Sequence, residues 1–181
     1  MRFRRSASLS WSSLLLLAVG CGASGAVPCP PEGAAEEVAD PGPPQGFVPA
    51  TVMGVLPTPQ GNALMLRSDA AGRLLPIFIG DAEASVIRMR LAGEEFPRPL
   101  THDLLDRLVD ELGGKIVRVL VTKIRGEVFI GTLVVRQGGR LLQIDARPSD
   151  AIAIAVGNRT PIFVSTAVLD AAGLPLDDFR P

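Results

Sequence analysis

Two short polar runs hold the side chains of this sequence that could do chemistry. They are Arg98-Pro99-Leu100-Thr101-His102-Asp103-Leu104 and Asp145-Ala146-Arg147-Pro148-Ser149-Asp150-Ala151. Each mixes acid with base at a point where a loop enters an apolar, helical stretch. Asp103, Asp145 and Asp150 offer the hard carboxylate oxygens that Mg²⁺ or Mn²⁺ accepts. Arg98 and Arg147 can grip a phosphate with two parallel donors. Thr101 and Ser149 add hydroxyls beside helix N-termini, whose free N–H groups attract anions. His102 is the one histidine of the chain and can move a proton near neutral pH. Together these residues would serve metal-assisted hydrolysis of a phosphodiester. His102, Asp103, Asp145 and Asp150 are then the catalytic candidates, Asp103, Asp145 and Asp150 the metal ligands, and Arg98, Thr101, Arg147 and Ser149 the substrate-binding set. The same residues have a plainer use. Thr101, Asp103, Ser149 and Asp150 are ordinary capping and first-turn residues, and Arg147 can simply pair with Asp145 or Asp150.

Several other chemistries are excluded. A single histidine rules out sites that need two imidazoles, and the glycines follow neither the P-loop nor the dinucleotide pattern. No serine sits in a nucleophile elbow. Both cysteines, Cys21 and Cys29, precede the folded part, so thiol catalysis is excluded there. From Phe47 onward the chain carries 15 basic and 15 acidic side chains, no pull toward nucleic acid by charge alone. One Trp and no Tyr leave little aromatic surface for stacking bases.

The elements that must position the two runs follow from pattern. Strands are expected over 50–56, 63–67 and 73–79, the last two joined through Asp69-Ala70-Ala71-Gly72. A helix from Asp81 to about Leu91 is stopped by Gly93 and the prolines at 97 and 99. Thr101 is the expected N-cap of a second helix, with Leu104, Leu105, Leu108, Val109 and Leu112 in one apolar stripe and Asp103, Asp106, Arg107 and Asp110 on the other face. Strands over 115–124 and 127–136, apolar on both faces, read as central. A shorter one covers 141–145. Pro148 opens a helix to about Val156, built almost wholly of Ala, Ile and Val and therefore buried. A strand at 162–164 and a helix at 166–172 complete the domain. Neighbouring hairpins without strict alternation give an α+β fold, a single domain with a mixed, mostly antiparallel sheet packed by helices. A weak repeat relates 76–82 to 161–167, each a strand leading into a helix.

Four runs carry a family resemblance: 76–84, 98–104 with Leu112-Gly113-Gly114, Ile144 to Ala153, and 161–164. In order and spacing they resemble the motifs of the bifunctional nuclease (BFN) domain family, over about Ala50 to Gly173. The resemblance implies an α+β domain, a homodimer, and DNase and RNase activity with nucleic acid as partner. The alternative reading is a non-catalytic, membrane-tethered binding or scaffolding module.

The first 46 residues have a different character. Arg2, Arg4 and Arg5 precede the apolar run Leu14 to Val19, which is too short to span a bilayer, and residues 1–20 read as an export signal. Ala18-Val19-Gly20-Cys21 resembles a bacterial lipobox, with Ala18 where Leu is usual. Residues 21–46 are then a lipidated cysteine and a Pro/Gly/Ala-rich tether, with the domain at 47–181, and the protein is an exported one anchored at the cell envelope. The alternative is ordinary secretion with cleavage near Ala26; if instead Cys21 is retained without a lipid, it can bridge Cys29. Replacing Cys21 by Ser should release the protein from the membrane fraction of lysed cells. A wild type already soluble after lysis defeats the lipid anchor.

Overall fold

The structure, a computed structural model of the chain, describes residues 42–94 and 97–179. The expected export signal, Cys21, Cys29 and the tether up to residue 41 lie outside them. Strand β1 (Phe47–Thr58) opens the domain and is followed by β2 (Gly61–Ser68) and β3 (Arg73–Ile79), two antiparallel hairpins in succession. Helices α1 (Asp81–Ala92) and α2 (Thr101–Glu111) lead to the long strands β4 (Gly114–Arg125) and β5 (Val128–Gln137), then β6 (Arg140–Ala146). The chain ends through α3 (Pro148–Asn158), β7 (Ile162–Ser165), α4 (Thr166–Ala172), the two-residue strand β8 (Leu174–Pro175) and a 3₁₀ turn over Leu176–Phe179.

All eight strands join in one sheet of order β6-β5-β4-β7-β1-β2-β3-β8, in which only β4 and β7 run parallel. This is the expected α+β architecture. Strand β1 links the two halves: Phe47–Ala50 pair with β7, and Thr51–Thr58 with β2 in a ladder broken by a bulge between Val52 and Gly54. The main core lies between the sheet and the helices. Leu64, Leu66, Leu75, Val119, Val121 and Val164 meet Ile87, Ile152 and Leu169 there with essentially no exposed surface. Strands β4 and β5 are covered on both faces, as their sequence implies, because Leu120 and Val134 pack with Phe163 on the opposite side.

Helix α3 lies at the centre of the helical layer. Ala151 to Ala155 are all buried, in contact with α1, α2, β4 and β5. Strand β5 reaches its N-terminus closely. A Cβ at Gly131 would stand 2.8 Å from the Ala146 carbonyl and 3.0 Å from the Pro148 nitrogen, so only glycine lets β6 turn into α3 at this place.

One expectation for α2 needs correction. Thr101 is the first helical residue, and the N-cap is Leu100, whose N–H donates to the Asp103 carboxylate at 2.8 Å. A side chain three residues into the helix satisfies the orphan donor, so the cap residue itself needs no oxygen. The leucine stripe, moreover, is not buried: no residue of α2 is. The helix docks through its polar side, with Val109 packed against the core beside it. Arg90 of α1, whose side chain is only 8% exposed, donates through Nη2 to Asp103 at 2.6 Å and Asp106 at 3.0 Å, and through Nη1 to the Ala153 carbonyl at 2.9 Å. Asn158 of α3 donates to Asp106 at 2.9 Å. Gly157 leaves the room that the guanidinium occupies.

Removing one partner from a buried ion pair leaves an uncompensated charge. Arg90→Ala should therefore cost about 3 kcal/mol of stability in urea unfolding. Hydrogen exchange should locate the damage: protection is lost across residues 101–111 while the β4–β5 amides keep theirs.

Candidate functional site

The N-termini of three helices converge on one guanidinium. Arg147 is the N-cap of α3, held extended between β6 and Pro148. Its Nε and Nη2 donate to the two oxygens of Asp150 at 2.7 and 3.0 Å, a bidentate grip. Its Nη1 stands 2.8 Å from Oε1 of Glu83, in the first turn of α1. His102, in the first turn of α2, places Nε2 at 3.5 Å from Oδ1 of Asp150. The resulting chain, Glu83–Arg147–Asp150–His102, joins α1, α3 and α2.

Two cavities flank this chain. One, of about 390 Å³, is lined by Ala82, Glu83, Val86, Met89, Leu100, Thr101, His102, Arg147 and Asp150. The other, of about 270 Å³, is lined by Ile77, Phe78, Ile79, Gly80, Glu83, Glu127, Val128, Phe129, Arg147, Pro148 and Ser149. Glu83 and Arg147 belong to both walls, so their ion pair is the partition. Arg147 is the accessible member, with 65% of its side-chain surface exposed against 20% for Glu83. Its hydrogen bond and charge interaction with Asp150, then those with Glu83, raise its pKa above the ordinary guanidinium value. It is a permanent cation whose carboxylate partners an incoming anion would have to replace.

The structure brings Thr101, His102, Arg147 and Asp150 to one cavity and Ser149 to the wall of the other. It separates the rest. Arg98 is exposed in the loop before α2 and lines neither cavity. Asp145 is exposed on β6, opposite Thr132 of β5. Asp103 follows His102 directly but turns to Arg90 and the Leu100 N–H. Among the described residues, no group of three or more His, Cys, Asp or Glu side chains is placed to hold a metal ion. Among the described residues Asp103, Asp145 and Asp150 are not grouped as the expected ligand set; Asp103 pairs with Arg90 and Asp150 with Arg147. Glu83 is the member that residue-by-residue reading passed over. It stood inside the run Gly80-Asp81-Ala82-Glu83-Ala84, where first-turn acids are ordinary, and only its partner across α1 and α3 marks it.

The model of the bifunctional nuclease domain matches residues 64–177 of this sequence, a stretch holding every residue of the site. The chain belongs to the bifunctional nuclease domain family. An uncharacterized protein of Mycobacterium tuberculosis is 40% identical over 121 residues, 66% of this chain and 72% of that protein. Bifunctional nuclease 1 of Arabidopsis thaliana is 28% identical over 119 residues, 64% of this chain and 37% of the plant protein. Bifunctional nuclease 2 of Oryza sativa subsp. japonica is 25% identical over 119 residues, again 37% of its own length. The chain therefore spans little more than a third of the length of these plant relatives.

Asp103 has a pH signature of its own. Burial pushes its carboxyl up, but the Leu100 N–H, the Arg90 hydrogen bond and charge, and the charge of His102 together outweigh burial and lower its pKa. A carboxyl with a lowered folded pKa adds stability that is complete above the ordinary value, near 4. That stability is lost as pH falls through this value and the lower folded one. Asp103→Asn should therefore be less stable than the wild type at pH 7. The difference should narrow below about pH 4 in chemical-denaturation midpoints; a constant gap from pH 7 to pH 2 would contradict this assignment.

Proposed function

We propose that this domain is a nuclease that hydrolyses phosphodiester bonds of DNA or RNA at the Glu83–Arg147–Asp150–His102 chain. The observation that carries the reading is the 3.5 Å approach of His102 to Asp150 beside the exposed Arg147. It unites the two polar runs of the sequence at one cavity. Two family relatives named as nucleases share the domain.

In this reading Arg147 exchanges its carboxylate partners for a phosphate oxygen, keeping a planar two-pronged grip. Water attacks phosphorus and the bond to the leaving oxygen breaks. Neutral His102, with Nε2 turned to Asp150, takes the water's proton at Nδ1 and then returns it to the leaving oxygen, while Asp150 orients the ring. Thr101, at the mouth of the 390 Å³ cavity, supplies a hydroxyl to the phosphate. Mg²⁺ or Mn²⁺, if bound, would add charge neutralisation at the phosphate. A second reading, an anion-binding module without catalysis, is favoured by the two carboxylates already held by Arg147, which oppose phosphate entry.

The two readings part in one experiment. Labelled single-stranded DNA and RNA are incubated with the protein, with EDTA and with Mg²⁺ or Mn²⁺ in turn. Cleavage by the wild type should fall about 100-fold or more in His102→Ala, the usual scale for a lost general base. It should fall similarly in Arg147→Ala, a variant that keeps its melting temperature because exposed ion pairs stabilise little. Binding without cleavage under all three conditions would favour the module; cleavage that survives in His102→Ala would remove the proton-transfer role.

A further inference from the structure

We propose that the 270 Å³ cavity is a nucleobase pocket that selects guanine, with Glu127 and Ser149 as the residues that read it. The assignment rests on the reading of Arg147 as the phosphate holder, because that guanidinium stands in the cavity wall and sets the base next to the phosphate. Two polar groups of this cavity have no part in the Glu83–Arg147–Asp150–His102 chain. Ser149, in the first turn of α3, is only 7% exposed and lines the cavity, yet among the described residues its hydroxyl has no hydrogen-bond partner. A nearly buried hydroxyl left in this state calls for a ligand group or a water. Glu127 lines the same cavity from the turn between β4 and β5. It is exposed, and among the described residues it pairs with no cation.

Size and chemistry name the occupant. A volume of 270 Å³ lies just below the roughly 300–1,000 Å³ of sites for drug-sized ligands, which suits one base rather than a whole nucleotide. Phe78 and Phe129, two of the chain's seven phenylalanines, line it with Val128 and Pro148. They supply the apolar surface on which a flat ring stacks. The free carboxylate then decides the edge. A carboxylate only accepts hydrogen bonds, and its two oxygens are best met by two donors side by side. On its Watson–Crick edge guanine carries such a pair, N1–H and the N2 amino group. Adenine and cytosine set a ring-nitrogen acceptor beside their amino group, and uracil and thymine flank N3–H with two carbonyl oxygens. Each of these turns a lone pair toward the carboxylate and is repelled. Guanine has one acceptor left on that edge, O6, and the Ser149 hydroxyl can donate to it. Glu127 for the two donors and Ser149 for O6 thus match guanine completely, with Arg147 left to the phosphate.

Isothermal titration of the full chain with the 5′-monophosphates of guanosine, inosine, adenosine, cytidine and uridine tests this. Guanosine monophosphate should bind at least about 10-fold more tightly than the adenosine, cytidine and uridine compounds, the scale of one well-made bidentate contact to a base. Inosine monophosphate keeps N1–H and O6 but lacks the amino group, and should fall between. Glu127→Gln should bring guanosine monophosphate down to the level of adenosine monophosphate, and Ser149→Ala should weaken it alone among the four. Neither variant should lose melting temperature, because neither side chain has a partner to lose. RNA cleavage should favour linkages next to guanine in the wild type, and in Glu127→Gln it should persist without that preference. Equal affinity for the four standard nucleotides, binding of none of them, or a guanine preference that survives in Glu127→Gln would each overturn the pocket. Guanine-selective binding without cleavage would uphold the pocket and defeat the nuclease reading alone. Cleavage by a protein that binds the four alike would do the reverse.

Discussion

A helix that is apolar all round must be covered all round, and the architecture of this domain is organised by that demand. From Ala151 to Ala155 the side chains of α3 are Ala or Ile without exception. None can face water without losing the transfer energy of its methyl and methylene groups. The sheet covers one side, α1 and α2 the others. Because α1 and α2 must lie against α3, their first turns are carried to its N-terminus. Glu83 and His102 arrive there at Arg147 and Asp150, from which both are far in sequence. The site is a by-product of covering one helix.

How α2 is attached explains why it is inverted. The surface that α1 and α3 offer it is not apolar: Arg90, Asn158 and the Ala153 carbonyl, already accepting from Arg90, lie there. A buried guanidinium demands carboxylates more strongly than a leucine stripe demands burial, since an unpaired buried charge costs several kcal/mol. Asp103 and Asp106 therefore face inward, and the leucines are left outside. Asp103 serves twice, capping the Leu100 N–H and pairing with Arg90.

The electrostatics divide the polar residues into two centres with different work. Around Arg90 the cation is buried and the carboxylates close it off, an arrangement suited to holding helices together. Around Arg147 the cation is exposed and its carboxylates lie beneath it, facing two cavities. The same residue types thus build a structural joint in one place and an exchangeable anion site in the other, and depth alone separates them.

Periodicity and turn chemistry are local properties, and what depends on them was legible in the chain itself. The strands between Ala50 and Arg136, the buried character of α3, the double covering of β4 and β5 and the α+β class all follow from residue spacing along a few turns or one strand, and the family resemblance rests on four short runs. What tertiary structure alone decided is the pairing of charges through space. Asp103 and Asp150 look alike in sequence, each in the first turn of a helix after an arginine-containing loop. Only the approach of α1 gives the first to Arg90 and leaves the second to Arg147 and His102. Glu83 joins the site for the same reason, and Asp145 stays outside it because β6 is an edge strand that exposes it. The outward turn of α2 was hidden as well. An amphipathic stripe states that a helix has two faces, but which one is buried depends on the surface it meets, and that surface is assembled from segments far apart in the chain.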